Sequence, residues 1–160
     1  MNTIIKQINP IIDYKFKGFC LKPYKAHPKG CPNFNNPNRP DCPPRAPKFD
    51  EYFDMEQPIY AIITEFDLNS HVTKMKVAHP NWTEKQTSCC LYWQGSVRKE
   101  LKKATTQFLK NHPGYEISIT PEAMGLSVTE TLKNVGVILE WPPQNIVRKV
   151  AIAGIRRTNA

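Results

Sequence analysis

The chain has 160 residues, enough for one compact domain, and 40% of them are hydrophobic. No apolar run approaches the roughly 20 residues of a membrane span, and the opening MNTIIKQINPIIDYKFKG has no uninterrupted apolar stretch followed by small residues. The chain therefore reads as cytoplasmic with no membrane partner, and its net charge of +8 favours phosphate-bearing partners without favouring any fold.

Composition divides the sequence near residue 57 into an irregular Pro/Cys-rich segment (1–57) and an α+β domain (58–160) that together form one compact unit. Eight of the 15 prolines lie between Pro23 and Pro47. Proline fixes φ and removes a backbone donor, so this stretch supports neither a long helix nor a central strand. Its aromatic residues (Tyr14, Phe16, Phe19, Tyr24, Phe34, Phe49, Tyr52 and Phe53) separate it from a disordered linker. A bound metal would order such a loop without regular secondary structure.

After residue 57 the pattern is regular. Ile59 to Phe66 reads as a buried strand. Residues 69–79 read as a helix with Val72, Met75 and Ala78 inward, ended by Pro80. Trp93, Val97, Leu101, Ala104 and Phe108 follow helical spacing, and Pro113-Gly114 stops that helix. Tyr115 to Ile119 reads as a strand. Ser127 and Glu130 form a capping-box pattern for a short helix carrying Val128, Leu132 and Val135, with Gly136 at its end. Val137 to Trp141 and Ile146 to Ile155 read as two further strands joined by the turn Pro142 to Asn145, so that the two pair as a hairpin. The expected class is α+β, a small mixed β-sheet with helices covering a face.

The chemistry lies in the first segment. Ten residues separate Cys20 from Cys31, and ten separate Cys31 from Cys42. Five cysteines, an odd number, argue against a closed disulfide framework; grouped thiols in a reducing compartment bind metal or do redox chemistry. A zinc site normally shows a C-x2-4-C pair, because one tight turn aims two sulfurs at one ion. The wider spacing here is compatible with an iron–sulfur cluster, and Cys31-Pro32 and Cys42-Pro43 have the Cys-Pro form of bacterial ferredoxin ligands. Three thiolates leave one iron of a 4Fe-4S cluster open, or ligated by Cys89, Cys90 or His27. The plainer alternatives are incidental thiols and, for Cys89 and Cys90, packing against the helix they precede. His71, His79 and His112 read as surface residues. Neither a glycine-rich phosphate loop nor the G-x-S-x-G or H-E-x-x-H motif occurs.

Cys20, Gly30-Cys31-Pro32-Asn33-Phe34 and Asp41-Cys42-Pro43-Pro44 resemble the opening of a prokaryotic cysteine-rich family described as predicted metal-binding proteins. Pro121 to Val128, followed by Thr131 to Gly136, resembles that family's closing motif. The two stretches stand in the family's order, about 80 residues apart. The resemblance implies a cysteine-bound metal or cluster on Cys20, Cys31 and Cys42. A further cysteine group common in the family has no counterpart in 111–119.

Glu122 lies between a strand and a helix, a position that often lines a site, and reads as a general base or substrate contact near the cluster, or else as a surface carboxylate. Three functions follow. The first is an enzyme with an open iron acting on a small or nucleobase-like substrate, with sulfur transfer as one form. The second is a fully ligated structural or electron-transfer module. The third is a zinc-stabilised nucleic-acid-binding protein using Lys99, Lys102, Lys103, Lys110, Arg148, Lys149, Arg156 and Arg157, against which stands the reading of these residues as a solvated basic face.

Overall fold

The structure, a computed structural model, describes residues 1–24 and 26–158. Its centre is a four-stranded sheet of order β1-β2-β4-β3, in which every pairing is antiparallel. The α+β class is as expected, whereas the expected mixed sheet is wholly antiparallel among the described residues.

Strand β2 (Ile59–Asp67) is the expected buried strand: Ile59, Ala61, Ile62 and Ile63 are all 2% exposed or less. Its run of apolar residues has no alternation because both faces are covered. It pairs with β1 (Asn2–Ile8) on one edge and with β4 (Ile146–Ile155) on the other, and β4 in turn pairs with β3 (Tyr115–Ser118). The expected hairpin between 137–141 and β4 does not form. Residues 137–141 run instead as irregular backbone beside the first half of β4, a stretch that β3, paired only with residues 152–155, does not cover, and Arg148 Nη1 donates to the Ile138 carbonyl at 2.8 Å. Strand β1 is the reverse case, a strand within the segment expected to be irregular. Ile4 and Ile8 point to the core, while Lys6 on the same side of this edge strand stays exposed.

The helix α2 (Leu68–Ala78) matches its expected span and is capped by Asp67, which accepts from the Ser70 amide at 2.9 Å. A short helix α3 (Glu84–Thr87) carries a capping box that the sequence reading missed: Thr83 accepts from the Gln86 amide, and the Gln86 side chain accepts from the Thr83 amide. The longest helix, α4 (Gln94–Asn111), buries Val97, Leu101, Thr105 and Phe108. It covers one sheet face, packing Leu101 and Phe108 on Ile62, Ala151 and Ala153.

The other face is covered too, a difference from the one-sided cover expected. Here Ile59, Ala61, Ile63 and Ile152 meet Phe49 and Phe53 of the α1 region (α1 is Phe49–Tyr52), Met124, Leu126, and Val128 and Leu132 of α5 (Val128–Lys133). The compositional boundary near residue 57 is therefore not a boundary of the core. Ser127 does precede α5, but its side chain caps nothing; its amide instead donates to the Ile11 carbonyl at 2.8 Å, and Thr131 Oγ1 accepts from the Ile11 amide. The chain before the cysteines thus occupies the start of this helix. Gly136, with φ of 80°, ends α5 as expected.

Candidate metal centre

The cysteine segment is a series of tight turns locked to one another by backbone hydrogen bonds. A 3₁₀ segment, Tyr14–Leu21, opens with Asp13 accepting from the Lys15 amide and ends with the Lys22 amide on the Phe19 carbonyl. Cys20 thus stands at its end. The chain returns at Gly30, whose φ is +88° and where a Cβ would sit 2.3 Å from the Cys20 carbonyl oxygen. Only glycine tolerates both the angle and the approach. The next residue, Cys31, donates its amide to that same oxygen at 2.7 Å. A second lock joins the next turns: Asn35, with φ of 55°, donates its amide to Pro43 at 2.8 Å, beside Cys42, and the Ala46 amide closes the turn onto the Cys42 carbonyl at 2.9 Å.

These locks gather the three cysteines. Cys20 and Cys31 line one cavity, and both Cys31 and Cys42 are near enough to Cys20 for their charges to act on it. Burial pushes the Cys20 thiol up, and Cys31 and Cys42 push it further. Burial also raises Cys42, opposed by the Arg39 guanidinium. Among the described residues, no group of three His, Cys, Asp or Glu side chains has the geometry to hold a single metal ion.

The closing motif lies against this segment. The Asp13 amide donates to Gly125 at 2.7 Å, Thr120 Oγ1 donates to the Asp41 carbonyl at 3.0 Å, and Lys17 Nζ donates both to Ala46 at 2.5 Å and to Ala123 at 3.1 Å. Gly125, with φ of +94°, lies where a Cβ would meet the Tyr14 ring at 2.5 Å. Tyr14 is itself hydrogen-bonded to Asp50. The cysteine segment and residues 120–125, far apart in sequence, are neighbours in space.

Between them opens a cavity of about 600 Å³ lined by Cys20, Cys31, Glu122 and four aromatic rings. Glu122 is exposed to this space, yet protein crowds its carboxyl on the remaining sides. Burial pushes its pKa up, and its own backbone amide and the charge of Lys149 draw it partly back. Lys149, half-buried, is lowered by burial and by Arg98 and raised by Glu122.

Cys20, Cys31 and Glu122, all read from sequence, therefore share one cavity wall, and Cys42 lies near Cys20 without reaching that wall. Cys89 and Cys90 do not join them: they precede α4 and are absent from the cavity wall. His27 belongs to the cysteine segment, its ring 4.7 Å from that of Tyr24. The expected basic face is dispersed. Arg148 pairs with Glu65 at 2.7 Å, Lys149 is half-buried, Arg156 lies over the Tyr52 ring, and Arg157 donates to the Asp50 carbonyl, while Lys99, Lys102, Lys103 and Lys110 stand exposed on α4. Lys17 and Trp141 were missed. Nothing in the sequence distinguishes Lys17 from the surface lysines, and Trp141 sat in a run that resembled a strand.

The chain matches no protein-family model, no curated protein and no solved structure.

Proposed function

We propose that the protein holds a 4Fe-4S cluster on Cys20, Cys31 and Cys42 and uses it as an enzyme acting on a small molecule bound in the adjoining cavity. The observation that carries this reading is the grouping of three cysteines, 22 positions apart from first to last, two of which, Cys20 and Cys31, line a cavity that also presents Glu122, with Cys42 close enough for its charge to act on Cys20. The donor set fits a cluster better than one ion. In a tetrahedral zinc site with a Zn–S bond of about 2.3 Å, every pair of sulfurs stands about 3.8 Å apart. Cluster thiolates each bind a different iron and are spread more widely, which suits cysteines separated by ten residues and placed on three separate turns.

Within this reading each part of the chain has a task. The Gly30 turn and the Asn35–Pro43 lock hold the three thiols, and Lys17 ties their loop to the loop of Glu122. The aromatic walls exclude water from the bound molecule. Glu122, whose pKa burial raises, holds or moves a proton at its carboxyl oxygens. A cluster with three protein ligands supplies an iron able to accept a sulfur or oxygen atom of the substrate. Of the candidates for a fourth protein ligand, Cys89 and Cys90 precede α4 outside the cysteine segment, and His27 lies within it against Tyr24. His27→Ala, which keeps the cluster if the fourth iron is open, separates the enzyme from a fully ligated electron-transfer or structural module.

Anaerobic purification followed by iron, sulfide and zinc analysis tests the proposal. About four irons and four sulfides per chain are expected. One zinc per chain without sulfide would replace the cluster by the structural reading.

A further inference from the structure

The cavity has a chemistry of its own. Its volume of about 600 Å³ suits a small organic molecule, since such sites span roughly 300–1,000 Å³. Phe16, Phe19, Tyr24 and Trp141 contribute rings, and the polar side chains besides the two thiols are Glu122 and Thr129. Trp141 Nε1 donates to Thr129 Oγ1 at 3.2 Å, which holds the indole at the wall.

Rings with one carboxyl fit two ligand classes: an organic cation held in an aromatic cage, or a flat neutral ring held by stacking. The surroundings of the rings decide between them. Lys22 Nζ sits 4.1 Å from the Phe19 centroid, and Lys15 Nζ sits 5.6 Å from that of Phe16. Both rings already polarise toward a lysine, and a further cation beside them would meet like charge in a chain of net charge +8. Glu122, moreover, lines the cavity, and a hydrogen bond from its own backbone amide leaves its oxygens with acceptor capacity for a ligand. A ring N–H would satisfy them at no cost in charge burial.

We propose that the cavity binds a flat, uncharged heteroaromatic ring, stacked on the aromatic wall with a ring N–H directed to the Glu122 carboxyl. As the identity of a substrate this rests on the metal-centre reading; as a binding property it stands alone.

Isothermal titration of the anaerobically purified protein, with metal content measured on the same sample, tests it. The probes are hypoxanthine and 2-pyridone, both neutral rings with an N–H, against choline and benzoate. The neutral rings bind with dissociation constants below about 1 mM, at least about tenfold tighter than choline or benzoate. Trp141→Ala, which removes a largely exposed side chain, weakens them about tenfold. Glu122→Leu weakens them about tenfold, whereas Glu122→Gln, which keeps an acceptor, changes them less than about threefold. Each variant is checked for an unchanged melting curve. Tighter binding of choline, indifference to Trp141→Ala, or binding of neither neutral ring would overturn the proposal. Metal-free protein that still binds the rings in this manner would remove the cluster and leave the binding assignment; cluster-loaded protein that binds neither would do the reverse.

Discussion

Gly30 is the residue on which the approach of Cys31 to Cys20 depends. Its positive φ and the 2.3 Å that would separate a Cβ from the Cys20 carbonyl oxygen act at the same place. Gly30→Ala is expected to destabilise the fold by about 1–3 kcal/mol and to lower the bound metal per chain, both measurable on one preparation by thermal melting and metal analysis. Unchanged metal content would show that the Cys20–Cys31 contact does not depend on this turn. At this scale the sequence was most informative. Cysteine, glycine and a lone carboxylate between a strand and a helix are each marked by residue type, so Cys20, Cys31, Cys42 and Glu122 were legible. Lys17 was not, because its role comes from two carbonyls, Ala46 and Ala123, that are brought together only by folding.

At the scale of elements, periodicity found what packs on one surface and missed what depends on a neighbour. Helix α4 was legible because Val97, Leu101 and Phe108 lie on one face, and Leu101→Ala should cost about 2–5 kcal/mol in chemical denaturation. Strand β1 was hidden because an edge strand buries little more than Ile4 and Ile8. Residues 137–141 carry strand-like residues, but they form no ladder with β4, whose edge along 146–151 is left uncovered by β3. What fixes this stretch is Glu140, which accepts from the Ile146 amide at 2.7 Å and from the Asn145 amide at 3.3 Å and so shapes the turn into β4. Those amides, that of Ile146 foremost, hold the Glu140 carboxyl below its ordinary value of 4.5. A depressed folded-state pKa contributes stability that is full above the unfolded value and is lost as pH falls through the folded one. Glu140→Gln should therefore melt below the parent at neutral pH, and the two curves should converge as acid protonates the carboxyl. A gap that stays constant down to about pH 2 would contradict this.

For the whole molecule, the cysteine segment is joined to residues 120–125 by the contacts of Asp13, Lys17 and Thr120. Few elements of regular secondary structure hold residues 20–46; turns and the contacts of Lys17 and Thr120 do so instead. Removing the metal with a chelator is therefore expected to raise hydrogen exchange across 20–46 while the amides of β2 and β4 keep their protection. Equal loss in both would mean that the centre supports the entire core. The α+β class was legible from the regular half of the chain. The cover on the second sheet face was not, since it is built from Phe49, Phe53 and Leu126, which belong to no periodic pattern long enough to read.

The central claim is a cluster on three cysteines, and its most direct test is the absorbance spectrum of anaerobically prepared protein, taken alongside the Cys20→Ser, Cys31→Ser and Cys42→Ser variants. A broad band in the visible blue, lost or much reduced in each of the three and kept in Cys89→Ser and Cys90→Ser, is the predicted result. A colourless protein, or a band that survives all three substitutions, would contradict it.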